Sequence, residues 1–163
     1  MRVPPLLVCC ALLAATTVAA DLVGGTGALA AEYKTTAEAL TLLYDGPSAK
    51  AKPLFVYGRD VPMEVLVAVE GWTKVRDMSG TIGWIAHKSL SDRRMLVVRV
   101  PVAEIRASPD DAAAVVFRAE RDVLLELAES AGSAAATAVP GWVKVRHRDG
   151  QSGFARLPQV FGF

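Results

Sequence analysis

The chain has 163 residues, of which 52% are hydrophobic and 21% are charged. Its 18 Lys and Arg residues nearly balance its 17 Asp and Glu residues, so no strong overall field attracts it to nucleic acid or to an anionic membrane surface. The hydrophobic fraction excludes intrinsic disorder, because there is ample apolar material to bury.

Residues 3–20 carry no charge and follow Arg2 and the N-terminal amine. A basic start, an apolar run and small residues near a cut site are typical of a secretory signal peptide. Cleavage fits after Ala20 or after Ala30, and both remain open. We therefore predict a signal peptide within residues 1–30, export to the periplasm or cell envelope, and only transient membrane contact through this segment.

Two other interpretations of the segment are an uncleaved membrane anchor and a lipoprotein. The 18-residue run is at the lower edge for spanning a bilayer. The chain's two cysteines, Cys9 and Cys10, lie here, but neither follows a small residue as a lipidated cysteine does. Removal of residues 1–30 leaves no cysteine, which excludes disulfides, thiol nucleophiles and cysteine-bound zinc from the mature chain.

An internal repeat organises the rest of the chain. Residues 71–84 align with residues 141–154 at an offset of 70, with seven identities in 14 positions. Upstream, Phe55 aligns with Phe117 at an offset of 62, so the second copy holds eight extra residues. They fall at about residues 130–139, an Ala-rich run with Gly and Ser that is predicted to be a surface loop.

The chain is therefore predicted to hold two copies of one module, at residues 33–95 and 96–163, joined by a link near Arg99–Pro101. Each copy shows about five short runs of strand-forming residues separated by turns, of which Ser79-Gly80 and Asp149-Gly150 are typical of hairpins. The final run assigned to the first copy is Arg94–Val98. The fold class expected is all-β, with two tandem small β-barrels.

Residues 110–138 of the second copy are rich in Ala, Leu and Glu and favour a helix by propensity. Their repeat partner, residues 54–69, is valine-rich and typical of strands. The repeat therefore predicts strands in both copies.

Both copies contain Gly-Trp-x-Lys-Val-Arg, a turn with Gly, and Gly-x-x-Gly followed by Trp or Phe. This pattern resembles the bacterial SH3-like (Src homology 3) domain family, over about residues 33–163. The resemblance implies two SH3-like barrels in a cell-envelope protein, since some relatives bind peptidoglycan or are fused to cell-wall hydrolases. It does not imply polyproline binding, because residues 86–90 and 157–161 lack the Pro-x-Asn-Tyr segment of eukaryotic members.

Strand alternation places Trp72, Lys74 and Arg76 on one face of a strand, and Thr73 and Val75 on the other. We hypothesise that the Trp face binds an extended, partly acidic peptide, such as a cell-wall stem peptide or the tail of a partner. The alternative is that each Trp packs under its own loop or against the other copy. The candidate ligand-binding residues are Tyr44, Trp72, Lys74, Arg76, Trp84, Trp142, Lys144, Arg146 and Phe154.

No motif for catalysis or metal binding stands out. His87 and His147 do not align in the repeat, and neither has a second ligand at metal-binding spacing. There is no Gly-x-Ser-x-Gly elbow. We expect no enzyme, no metal and no cofactor.

The function predicted is that of a non-catalytic binding or adaptor module of the cell envelope, with peptidoglycan or an envelope protein as its partner and without nucleic acid. One alternative is a structural or assembly protein whose two domains pack together and dock on a partner. Another is an accessory subunit of a cell-wall enzyme.

Overall fold

The computed structural model describes residues 31–128 and 139–163. The predicted signal peptide at residues 1–30 lies outside these ranges, as does nearly all of the predicted loop at residues 130–139. In the two ranges, the helices are single 3-10 turns at His87–Ser89 and Leu157–Gln159, and none is long and apolar enough to cross a membrane.

The described residues form two antiparallel sheets of seven strands each. The first contains β1 (Glu32–Thr36), β2 (Thr41–Tyr44), β3 (Pro53–Tyr57), β4 (Pro62–Val69), β5 (Trp72–Arg76), β6 (Ile82–Ala86) and β7 (Leu90–Ser91). The second contains β8 (Met95–Val98), β9 (Val102–Arg106), β10 (Val115–Glu120), β11 (Leu124–Leu127), β12 (Trp142–Arg146), β13 (Ser152–Arg156) and β14 (Val160–Phe161).

Both sheets have the same strand order, which is β3-β2-β6-β5-β4-β1-β7 in the first and β10-β9-β13-β12-β11-β8-β14 in the second. The all-β prediction is confirmed. The described portion of the helix-prone part, residues 110–128, forms β10 and β11, as the repeat predicted. Among the described strands, no ladder joins the two ends of either sheet, so neither closes into a barrel by hydrogen bonding. The last strand of each copy is two residues long and pairs only with the first.

The assignment of Arg94–Val98 to the first copy is wrong. Strand β8 pairs with β11 and β14, so it opens the second copy, and all four of its side chains are buried. The link between the copies is therefore residues 92–94, between β7 and β8, rather than Arg99–Pro101. An apolar strand looks the same in sequence whether it ends one copy or begins the next, and only its partners distinguish the two.

Strand β1 is the counterpart of β8 and was not predicted, because its sequence, Glu-Tyr-Lys-Thr-Thr, lacks an apolar run. Thr35 and Thr36 are nevertheless buried. The Thr36 hydroxyl donates to the Gly58 carbonyl at 2.6 Å and accepts from the Val61 amide at 2.9 Å. These hydrogen bonds offset the free energy of burying a hydroxyl group.

Each copy has its own hydrophobic core, as expected for two repeated domains. The first core contains the buried side chains of Leu43, Met63, Val75 and Ile85. The second is larger and includes Leu96, Val98, Ile105, Leu125, Val143, Val145 and Val160. The predicted inward positions of Val75 and Val145 are confirmed, so the opposite sides of β5 and β12 face outward.

The two copies also contact each other directly. The rings of Tyr33 and Phe161 meet edge-on, with centroids 5.3 Å apart. Gly162 has a φ of 113°, and a Cβ added there would lie 2.9 Å from the Pro62 Cβ. The copies therefore approach one another closely where β14 ends beside β4.

The turn between β5 and β6 is organised by the carboxylate of Asp77. It accepts hydrogen bonds from the Tyr57 hydroxyl at 2.7 Å, the Ser79 hydroxyl at 2.7 Å and the Thr81 amide at 2.8 Å. Burial opposes ionisation of Asp77, but these hydrogen bonds outweigh it and lower the pKa of the carboxyl below 3.8. Burial and the bond to Asp77 raise the pKa of Tyr57.

Replacing Asp77→Asn is expected to lower the free energy of unfolding by about 1–2 kcal/mol at neutral pH, since hydrogen bonds to a charged acceptor are lost. The folded-state pKa is lowered, so the stabilisation by the carboxylate is present above the unfolded pKa and is lost as pH falls through the folded pKa. In denaturant titrations, the difference between wild type and variant should shrink between about pH 7 and about pH 3. A difference that does not change with pH would contradict this account.

Gly83→Ala is expected to destabilise the protein by about 1–3 kcal/mol, the usual effect of overpacking. A Cβ at Gly83 would lie 2.6 Å from the Leu43 Cγ and 2.8 Å from the Tyr44 carbonyl oxygen. Gly58→Ala is the control, because nothing lies within 4 Å of a Cβ built there. Thermal unfolding of both variants checks the prediction, and equal melting temperatures would refute it.

Candidate functional site

The outer face of the first sheet carries a row of side chains across four strands. Tyr44 on β2 lies opposite Trp84 on β6, Trp84 lies opposite Lys74 on β5, and Lys74 lies opposite Val67 on β4. Directly paired residues project on the same side of a sheet. The pairing therefore assembles the row from four separate segments of the chain.

Trp72 extends this row into a cluster. Its ring meets that of Tyr44 edge-on, with centroids 5.5 Å apart, and the Lys74 Nζ lies 5.8 Å from the centroid of Trp84. The aromatic rings are half-buried, whereas Val67 is 46% exposed. We call Tyr44, Trp72, Lys74 and Trp84 the aromatic face of the first copy.

The remaining candidate of the first copy, Arg76, lies at the far end of β5 from Trp72. It is paired across β4 and β5 with Glu64, and their charged atoms are 3.5 Å apart. Arg76 therefore forms an ion pair at the edge of the aromatic face.

The second copy is different at the position of Trp72. Trp142 is only 6% exposed, because the guanidinium of Arg156 lies over its ring at 4.6 Å from the centroid. Arg156 is in turn held by two hydrogen bonds to the carboxylate of Asp111, in the turn before β10. The repeat places Ala86, which is too short to cover an indole ring, at the position of Arg156.

A second difference between the copies interrupts the row of aromatic side chains. Arg106 stands at the position of Tyr44 and lies opposite Phe154. Its guanidinium donates to the Ala113 carbonyl at 2.7 Å and to the Glu104 carboxylate at 2.7 Å. Lys144 lies on the other side of Phe154. The outer face of the second copy is thus charged and internally bonded, and Trp142 is covered by Arg156 of the neighbouring strand β13.

The structure brings four of the nine sequence-predicted residues into one open cluster and places the others elsewhere. Arg146 is exposed and lines a cleft between the two copies. Sequence reasoning missed Arg156 and Asp111, which cover Trp142. The replacement of Ala86 by Arg156 in the repeat was the available signal, since a charged side chain there changes what lies over the Trp.

Within residues 31–128 and 139–163, no group of three His, Cys, Asp or Glu side chains is arranged to hold a metal ion. Nδ1 of His147 instead lies 3.0 Å from the carboxylate of its neighbour Asp149.

The difference between the copies is testable by fluorescence quenching with acrylamide. A Trp72→Phe/Trp84→Phe variant retains only Trp142, whereas Trp142→Phe retains the two tryptophans of the aromatic face. We expect weak quenching in the first variant and strong quenching in the second, because Arg156 covers Trp142. Equal quenching would show that Trp142 is as accessible as the other two.

The chain is similar over part of its length to several solved structures. NlpC1 and NlpC2 from Trichomonas vaginalis are each 14% identical to this chain, with TM-scores of 0.37 and 0.36. The alignments cover 88% and 81% of this chain and 50% and 48% of theirs. An NlpC/P60 family protein from Bacillus cereus is 13% identical, with a TM-score of 0.35 and coverage of 80% and 56%. The chain thus spans about half the length of these structures.

No curated protein matches the sequence. A family model described as bacterial SH3 domain matches twice, at residues 37–92 and at residues 99–162. The two matches together cover most of the chain, and each includes every strand of one seven-stranded sheet except the first. The chain therefore belongs to the bacterial SH3 domain family, of which it contains two tandem copies.

Proposed function

We propose that this protein is a non-catalytic binding module of the bacterial cell envelope, and that the aromatic face of the first copy binds an extended peptide. The observation that carries the proposal is the open cluster of Tyr44, Trp72 and Trp84 beside Lys74. In the second copy, Arg156 covers Trp142 and Arg106 stands at the position of Tyr44, while Phe154 is half-buried like Trp84.

The chemistry of the face favours a peptide ligand. Trp and Tyr provide large, rigid apolar surfaces with one polar group each, which makes them the commonest anchors in binding interfaces. The exposed Val67 and Val69 continue the apolar surface along β4. The ammonium group of Lys74 adds an attraction for carboxylates, so a partly acidic peptide fits better than a basic one.

Within the cell envelope, this chemistry corresponds to the stem peptides of peptidoglycan or to the acidic tail of an envelope protein. Family membership supports this location, together with the uncharged segment at residues 3–20 that is typical of an export signal. We take the stem peptide as the first ligand to test.

The second copy supports a structural role within the same protein. Its aromatic residue Trp142 is buried, and its Phe161 packs against Tyr33 of the first copy. The structural alternative, in which the two domains pack together, therefore fits the second copy, which supports the first.

The test is co-sedimentation of residues 31–163, which include every described strand, with purified peptidoglycan sacculi. Trp84→Ala should weaken binding about tenfold or more, the effect of removing a hot-spot aromatic residue. Phe154→Ala is the matched control, because Phe154 occupies the same position in the second copy. Circular dichroism and thermal unfolding establish that both variants are folded.

Each result has a distinct meaning. If wild type and Phe154→Ala pellet and Trp84→Ala does not, the aromatic face binds the wall. If all three pellet equally, the wall is bound elsewhere and the proposed site is wrong. If none pellets, peptidoglycan is not the ligand, and peptides from envelope proteins are tested against the same variants.

A further inference from the structure

The first copy contains a cavity of about 340 Å³ that is separate from its aromatic face. Thr73, which projects from β5 on the opposite side from Trp72, is part of its lining. The volume is at the lower end of the range for small-molecule sites, so a ligand here is small. The complete lining, which comes from β1, β4, β5, the first 3-10 turn, β7 and the link, is Glu32, Lys34, Val65, Ala68, Thr73, His87, Leu90 and Asp92.

The second copy has hydrophobic side chains at three positions where the lining of this cavity is polar. Lys34, Thr73 and His87 correspond in the repeat to Leu96, Val143 and Leu157. Leu96 and Val143 are buried in the second core, and Leu157 packs against it. The same backbone thus carries a continuous apolar core in one copy and a polar cavity in the other.

The hydroxyl group of Thr73 has no hydrogen-bond partner among the residues that the structure describes. Thr73 is only 1% exposed, and a buried hydroxyl without a partner destabilises the folded state. Val143, which has nearly the same shape, shows that the fold does not need a hydroxyl group at this position. A ligand in the cavity can supply the missing partner.

The ionised side chains of the lining include one more carboxylate than ammonium groups. The Lys34 Nζ lies 2.5 Å from a carboxylate oxygen of Asp92 and 3.7 Å from one of Glu32. No other Lys, Arg, Asp or Glu residue lines the cavity, and histidine is counted as neutral at pH 7. The lining therefore carries one net negative charge, which favours a ligand with one positive charge.

The remaining wall of the cavity is apolar and consists of Val65, Ala68 and Leu90. An alkyl chain that lies against these side chains is removed from water, which favours binding. The lining thus offers carboxylates for a cation, apolar side chains for a short chain, and a hydroxyl group for a polar end.

We propose that this cavity binds a small amine, in which a short alkyl chain joins a primary ammonium group to a hydrogen-bonding group. Glu32 and Asp92 bind the ammonium group, and the Thr73 hydroxyl bonds to the other end of the ligand. This site goes beyond the peptide-binding function proposed above and shares no residue with the aromatic face.

The experiment is a titration of isotope-labelled residues 31–163 followed by the amide NMR signals, with ω-aminobutanol, butylamine and γ-hydroxybutyrate as probes. The signals of Thr73 and its neighbours should move with ω-aminobutanol. Butylamine should bind about threefold more weakly, because it lacks the hydroxyl group that pairs with Thr73. The anion γ-hydroxybutyrate should not bind, because its carboxylate is repelled by Glu32 and Asp92.

Thr73→Val introduces the side chain of the second copy and removes only the hydroxyl group. It should abolish the preference for ω-aminobutanol over butylamine. It should also raise the melting temperature of the free protein by about 4 °C, because no buried hydroxyl is left unpaired. A merely structural hydroxyl would instead be accompanied by a lower melting temperature in the variant.

Glu32→Gln tests the charge of the cavity without changing the core, because Glu32 is exposed. It should weaken the binding of both amines about threefold. Glu38→Gln is the matched control, since Glu38 is an exposed carboxylate of the same copy that does not line the cavity.

The proposal is overturned if neither amine binds at about 10 mM, which corresponds to a very weak interaction. It is also overturned if Thr73→Val keeps the preference for ω-aminobutanol or lowers the melting temperature, or if Glu38→Gln weakens binding as much as Glu32→Gln. Trp84→Ala is included and should bind both amines normally. A failure of the aromatic face and a failure of the cavity are therefore distinguishable.

Discussion

The close approach of β6 to β2 is the constraint on which the aromatic face depends. At Gly83, the neighbouring side chain of Leu43 and the carbonyl of Tyr44 occupy the space that a Cβ would need. This contact brings Trp84 next to Tyr44, because the two strands pair at that point only. Gly153 makes the same approach to Ile105 and Arg106 in the second copy, so both copies have the same backbone there. The two copies differ in the side chains that these strands carry on their outer faces.

Two side-chain replacements are enough to change an open aromatic face into a closed, charged one. Arg106 in place of Tyr44 removes one ring of the row, and Arg156 in place of Ala86 covers the remaining Trp. A guanidinium over an indole is attracted by the ring's negative face, and the bond to Asp111 fixes it in position. The outer face of the first copy is thus aromatic, while that of the second is stabilised by contacts within itself.

The repeat made most of the fold predictable, because glycines and tryptophans at matching positions are easy to recognise. Strand β1 was missed, since its buried Thr35 and Thr36 depend on hydrogen-bond partners that sequence patterns do not reveal. The covering of Trp142 was only partly visible in the sequence, because the repeat shows Arg156 at the position of Ala86 but does not show that Asp111, 45 residues away, holds Arg156 over the ring. Eight of the nine candidate residues form four aligned pairs, and the contacts around each pair, which the alignment does not show, distinguish the two copies.

The two copies contact each other at the link and at the end of β14. Arg93 of the link bridges Asp60 of the first copy and Glu126 of the second, while the absence of a side chain at Gly162 lets β14 lie against Pro62. Both copies line the cleft between them, with Arg59 from the first and Arg146 and Arg148 from the second. The second copy therefore contributes more than support, since it forms part of a surface that the first copy does not form alone.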